Sequence, residues 1–175
     1  MSSQMRGIGG HTRPNKGLHD TWLTPKPILW ALGDFDLDPC AAPNPRPWPT
    51  ALQHIALPDD GLLLPWKGRV WLNPPYGADI ALWMRRMAAH RIGTALTFAR
   101  TETEWWKLYV WPIAIALLFI YGRLNFCYPD GSMSPYNAGG PSVLIAYSAN
   151  DADHLWMSGI QGAFVEVKRA GEMRR

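Results

Sequence analysis

Residues 70–77 read VWLNPPYG. Val70, Trp71 and Leu72 form a continuous apolar run. Pro74 and Pro75 stop it, because proline fixes φ and has no backbone N–H for a strand ladder. The stretch reads as a short buried strand that ends abruptly in a rigid turn. Downstream, residues 80–91 (IALWMRRMAAHR) place Ile80, Trp83, Met84 and Met87 on one helical face. Residues 94–99 read as the next strand, 102–111 as a helix, 116–121 as a buried strand and 142–147 as a late strand. Residues 122–126 begin a further short strand, and 127–141 are a turn-rich loop. Upstream, residues 25–32 form a short helix with Thr24 as N-cap, Pro25 in the first helical position and Gly33 as the stop. Phe35 and Leu37 alternate with Asp34, Asp36 and Asp38, the period of a short strand that Pro39 ends. Residues 42–60 hold five prolines and read as an ordered loop with at most a short extended piece.

Strands alternating with helices imply an α/β fold with a mostly parallel sheet and helices on both faces. Ligands in such sheets sit at the carboxyl ends of the strands. The strand-end sequences DPCA (38–41) and NPPY (73–76) therefore fall on one edge. Only 35 positions separate Asp38 from Asn73, too few for two full strand–helix units, so this side of the sheet is abbreviated. The 175 residues suit one domain, expected over 20–165, with a mobile basic arm over 1–19 and a basic tail over 166–175.

Composition narrows the class. At 47% hydrophobic and 18% charged, the chain can build a core and is not a disordered polymer. Two cysteines exclude a disulfide framework and a four-cysteine zinc site. The five histidines show no ligand spacing, and no metal site is expected. Residues 1–17 lack the apolar core of a signal peptide. The longest apolar run, 108–121, is too short for a membrane span and carries Pro112. The expectation is a cytoplasmic protein with no membrane partner. A net charge of +3 permits a polyanion partner without requiring one.

The chemistry lies in NPPY. The rigid strand end offers a side-chain amide oxygen, unpaired carbonyls and an aromatic ring. An exocyclic amino group on a base has two N–H donors, so one amide oxygen plus one carbonyl match it, and a tyrosine offers a stacking face. The tetrapeptide is suited to an amino-bearing heteroaromatic ring.

Asn73-Pro74-Pro75-Tyr76 resembles the catalytic tetrapeptide of amino-group DNA methyltransferases. The chain as a whole resembles the small phage- and prophage-encoded DNA adenine-N6 methyltransferases. The stretches that match, in the family's order, are Trp22-Leu23-Thr24-Pro25, Leu37-Asp38-Pro39-Cys40-Ala41, Asp59-Asp60-Gly61-Leu62 with Trp66, Asn73 to Gly77, Ala99-Arg100-Thr101 with Trp105, and Gly122 to Phe126. The resemblance implies a Rossmann-like, S-adenosylmethionine-dependent fold acting on double-stranded DNA in a bacterial host cell. By it, Asn73 and the Pro74 carbonyl accept the two N6 hydrogens, Pro75 stiffens the turn and Tyr76 stacks on a flipped adenine. Asp38, with Pro39, Cys40 and Ala41, resembles the donor-binding motif, and Asp38 is placed for an ammonium contact. Thr24 and Pro25 resemble a pair that borders the donor's carboxylate, with Trp22 beside them closing the pocket or, by preference, filling the core. Asp60 resembles the acid that contacts the donor's nucleoside. The chain continues Ala42-Pro43-Asn44-Pro45 where larger methyltransferases have Gly-x-Gly, which implies a donor held less by backbone amides.

Arg100, Thr101, Arg123, Tyr128, Tyr136 and Asn137 are the candidates for DNA contact, since long loops carrying such residues are usually functional. Competing readings are an N4-cytosine methyltransferase, a DNA-binding protein with a decayed methyltransferase fold, and a metal-dependent nuclease built on Asp59 with Glu166 and Lys168. The recognition sequence, any restriction partner and the oligomeric state stay open.

Overall fold

The computed structural model describes residues 21–168. The expected N-terminal arm and most of the expected tail lie outside them. The chain order is α1 (Lys26–Ala31), β1 (Leu37–Asp38), β2 (Gln53–His54), β3 (Val70–Leu72), α2 (Ile80–His90), β4 (Gly93–Phe98), α3 (Glu104–Tyr109), β5 (Ala116–Ile120), β6 (Ser142–Ala146), α4 (Ala149–Met157) and β7 (Gly162–Glu166). The seven strands form one sheet in the order β2-β1-β3-β4-β6-β5-β7.

Alternation along the strands divides the core. Val70, Leu72, Leu117, Val143 and Ile145 pack with Trp83, Met84 and Met87 of α2 and Trp106 of α3. Trp71, Ala116, Leu118, Leu144 and Ala146 face Leu29 of α1, its C-cap Leu32, and Ala152 and Leu155 of α4. Helices on both faces follow from this period of two on doubly buried strands.

Only half of the sheet is parallel. The β2–β1, β1–β3 and β3–β4 pairs are parallel, whereas β4–β6, β6–β5 and β5–β7 are antiparallel. The expectation of a mostly parallel sheet is corrected here, and the connections give the reason. The segment from β5 to β6 stays at one edge of the sheet without a helix, so β6 must return antiparallel. It inserts between β4 and β5. α4 then carries the chain back across the sheet to β7. These last two elements carry no signal in the strand and helix spacing quoted above. Ser148 caps α4 by accepting from the Asp151 amide. The Val167 N–H donates to the Ile115 carbonyl, so the sheet extends into the stretch expected as tail.

Two local expectations also change. Thr24 does not cap α1: Pro25, in extended conformation, is the N-cap, and Thr24 is buried. Residues 122–126 form no strand. They are irregular chain held by Ala138 N–H to Leu124 O and Ser134 N–H to Phe126 O. Gly33 does end α1, at φ 75°. Among the described residues, 39–69 contain a single two-residue strand and no helix, so the β1 side is abbreviated as expected. Within the same residues no helix is long and apolar enough to cross a membrane.

Candidate active site

β1, β3 and β4 run parallel, so their carboxyl ends deliver Asp38, Asn73 and Ala99 to one edge of the sheet. β6 runs the other way, and the segment leading into it (Gly139, Gly140, Pro141) reaches the same edge.

Asn73 is half-buried directly after β3. Its Nδ2 donates to the Trp22 carbonyl (3.4 Å), and its Oδ1 faces the Tyr76 hydroxyl, which donates to it (3.5 Å). The same hydroxyl lies 3.5 Å from Leu96 O. Tyr76 stacks on Phe98 of β4, with centroids 4.3 Å apart and planes 9° from parallel, and meets Phe126 edge-on at 6.4 Å. Burial pushes its phenol well above the ordinary tyrosine range.

Trp22 is 37% exposed, so it lies at the site and not in the core. Its ring leans on Tyr128 at 5.4 Å. The next residue, Leu23, exchanges both backbone hydrogen bonds with Cys127, which pins this segment to the 127–141 loop. Thr24 Oγ1 is buried with no hydrogen-bond partner among the described residues.

Asp38 is 4% exposed. Its Oδ1 accepts from the Cys40 amide (3.1 Å) and its Oδ2 from the Thr50 hydroxyl. Burial pushes its pKa up to about 6, against the lowering effect of those bonds and of the Arg46 charge. Cys40 Sγ–H donates to the Asn73 carbonyl (3.3 Å), and burial together with the Asp38 charge raises the thiol well above its usual value. Pro39 and Ala41 are buried beside them.

Asp60 is exposed, and its carboxylate accepts from the Leu62 amide of its own turn. Gly61 explains why this turn sits against the Asp38 strand end. A Cβ there would lie 1.7 Å from the Pro39 carbonyl oxygen, so only glycine permits the approach. Arg86 of α2 donates to the Leu62 and Leu64 carbonyls and covers Trp66, so it holds this loop. Gly61→Ala is expected to push the loop off Pro39 at a cost of about 1–3 kcal/mol, read as a lower urea midpoint with unchanged slope.

Arg100 and Arg123, with Phe98, Glu102 and Gly139 to Pro141, line an open pocket of about 250 Å³ beside the Tyr76–Phe98 pair. Arg123 also donates to Ala138 O (3.3 Å). Thr101, Tyr136 and Asn137 are exposed on the flanking loops. Three residues of this edge escaped sequence reasoning: Thr50, Phe98 and Arg46. Thr50 lies inside the proline-rich loop, and Phe98 reads simply as the end of an apolar strand.

The nuclease reading fails on topology. Asp59 follows β2 and Glu166 ends β7, and these are the two outer strands of a seven-stranded sheet, roughly 29 Å apart at strand spacing. No group of three or more His, Cys, Asp or Glu suited to a metal ion occurs among the described residues.

No curated protein and no solved structure matches the chain. The family model of the DNA N-6-adenine-methyltransferases (Dam) matches residues 11–159, a span that contains every residue of the edge just described, and the chain therefore belongs to that family.

Proposed function

We propose that the protein transfers a methyl group from S-adenosylmethionine to the N6 amino group of an adenine flipped out of double-stranded DNA, on a Rossmann-like sheet. The observation that carries the reading is Asn73 at the end of β3, its amide oriented by the Trp22 carbonyl, beside the stacked Tyr76–Phe98 pair.

Asn73 Oδ1 and the Pro74 carbonyl accept the two N6 hydrogens. The N6 lone pair of adenine is delocalised into the ring and is a poor nucleophile. Two acceptors draw the hydrogens out of the ring plane and localise that lone pair on nitrogen. Pro75 removes a backbone donor that would compete for Asn73 Oδ1. Tyr76, backed by Phe98, gives the base a rigid aromatic surface. The base must leave the duplex because its target atom is unreachable within the stack.

The residues near Asp38 fit a cationic, carboxylate-bearing donor. Asp38 is buried without a salt-bridge partner among the described residues, and Thr24 Oγ1 is a buried polar atom without a hydrogen-bond partner among them. Asp38 would hold the donor's ammonium, with Pro39, Cys40 and Ala41 shaping the loop around it. Thr24, Pro25 and Trp22 would border its carboxylate end, and Asp60 its nucleoside. When bound, S-adenosylmethionine supplies a methyl group on a sulfonium, whose leaving group is already activated. Alignment therefore counts for more than a strong base. Arg100 and Arg123 place positive charge on the same edge, where Thr101, Tyr128, Tyr136 and Asn137 would meet the DNA.

The raised pKa of Asp38 makes a pH prediction. A carboxyl shifted upward on folding stabilises the fold fully below its unfolded value of 3.8, and that contribution is lost as pH rises through about 6. A cation binds the ionised form, so donor affinity runs the other way. It is expected to fall as pH drops through about 6. Asp38→Asn is expected to abolish that dependence and to weaken binding at pH 7, as read by calorimetry.

The test of function is incubation of DNA with labelled S-adenosylmethionine followed by nucleoside analysis. N6-methyladenine is the expected product. N4-methylcytosine would change the base but keep the mechanism. No transfer together with no donor binding would overturn the proposal in favour of a non-catalytic DNA binder.

A further inference from the structure

Residues 42–60 hold only the two-residue β2, yet the Thr50 side chain among them reaches Asp38. Thr50 has one hydroxyl proton, and it goes to Asp38 Oδ2. Thr50 is itself held in place. His54 of β2 accepts from the Thr50 amide (3.2 Å) and from the Ala51 amide (3.4 Å), both through Nε2. That nitrogen must therefore be unprotonated, and burial and the Arg46 charge favour this by lowering the His54 pKa. On the other side of Asp38, the Cys40 amide donates to Oδ1, and the Cys40 thiol reaches the Asn73 carbonyl. A continuous line of hydrogen bonds runs His54–Thr50–Asp38–Cys40–Asn73. It joins three segments that are distant in sequence: β2 with its preceding loop, the end of β1 and the end of β3.

We propose that Thr50 and Cys40 are positioning residues, Thr50 holding the Asp38 carboxylate for the donor's cation and Cys40 locking the backbone of Asn73 to that same acid. The inference rests on the reading of Asp38 as the donor site and Asn73 as the amino-group acceptor. It adds a physical link between them. Asn73 lies at the point where its strand stops, and its carbonyl accepts from the Cys40 thiol of the neighbouring loop. Without that donor, the first residue of NPPY loses a tie to the donor loop. Asp38 faces Thr50 and Cys40 directly, Arg46 acts on it by its charge, and His54 acts through Thr50. A Thr50 substitution that leaves His54 and Arg46 intact therefore reports the hydroxyl itself.

The test is S-adenosylmethionine affinity by calorimetry across pH 5–8, and kcat for DNA methylation at saturating donor, on the full chain. Thr50→Val keeps the side-chain shape and removes the hydroxyl. A lost hydrogen bond to a charged group is expected to raise the midpoint of the donor-affinity profile by about one pH unit, which is about fivefold weaker binding at pH 6. Thr50→Ser is expected to keep the parent midpoint. An unmoved midpoint in Thr50→Val, or one displaced equally in Thr50→Ser, overturns the role of Thr50. Cys40→Ala is expected to lower kcat by about three- to tenfold, and Cys40→Ser to recover most of it. A parental kcat in Cys40→Ala overturns the link to Asn73. The underlying site reading has its own control. If Asp38→Asn leaves donor affinity unchanged at every pH, the donor site is elsewhere, a result distinct from failure of either positioning residue.

Discussion

Asn73→Ala is expected to lower kcat for methyl transfer by about 10²–10³-fold while leaving S-adenosylmethionine affinity within about twofold of the parent. The magnitude is that of removing one fixed polar group from a site where charge develops in the transition state. The separation of the two effects follows from position. Asn73 contacts Cys40, in the proposed donor loop, through its backbone carbonyl, which alanine retains, whereas in the proposed mechanism the base would be met by its side-chain oxygen. Asn73→Asp is a sharper companion, because it keeps an acceptor but loses the N–H that the Trp22 carbonyl orients. Its expected activity lies between parent and alanine. Single-turnover methylation with labelled donor, alongside calorimetry, reads both numbers. Near-normal turnover in Asn73→Ala would remove Asn73 as the acceptor.

Asp151→Ala is expected to destabilise the fold by about 3–5 kcal/mol, because it leaves a buried guanidinium without its counter-charge. Asp151 is fully buried, and its carboxylate accepts from Arg69 Nε (2.7 Å), the Gly93 amide (2.6 Å) and the Ser148 hydroxyl (2.5 Å). Arg69 is 9% exposed and also donates to the Leu32 and Asp34 carbonyls, with its guanidinium over the Phe35 ring. One carboxylate thus ties the starts of β3 and β4 to α4 and, through Arg69, to the end of α1. This cluster lies at the amino ends of the parallel strands, opposite the candidate active site. Urea unfolding of Asp151→Ala should show the loss, while the folded fraction keeps parental donor affinity. A loss below about 1 kcal/mol would mean that the site relaxes or rehydrates. The exposed Lys168–Glu166 pair, at 3.6 Å on the outer strand, is the contrast, since screened surface pairs contribute little.

The two buried acids differ in their partners. Asp151 has its cation, so its burial is compensated within the fold. Asp38 has hydrogen bonds but no ion pair among the described residues, and its carboxyl is pushed up to about 6. A buried acid without an ion pair marks a candidate site for a cation, the role that the proposed donor would fill.

The chain's residues alone determined the strand at 70–72, the helix at 80–90, the placement of DPCA and NPPY on one edge and the abbreviated segment between them. These are local signals: an apolar run stopped by two prolines, a 3.6-residue period, and a distance too short for another helix. The same local reading placed Thr24 as a cap, because Ser/Thr before proline has that chemistry in isolation. Tertiary structure decided otherwise, burying Thr24 while Leu23 bridged to Cys127. It also decided that β6 and β7 run antiparallel to the other five strands, since strand direction depends on where a connection returns and not on strand composition. Thr50 donating to Asp38, Cys40 reaching Asn73, Phe98 backing Tyr76 and Asp151 pairing with Arg69 were equally beyond the sequence. Each joins residues 12 to 82 positions apart, and such partners meet only after the sheet has set its strand order and register.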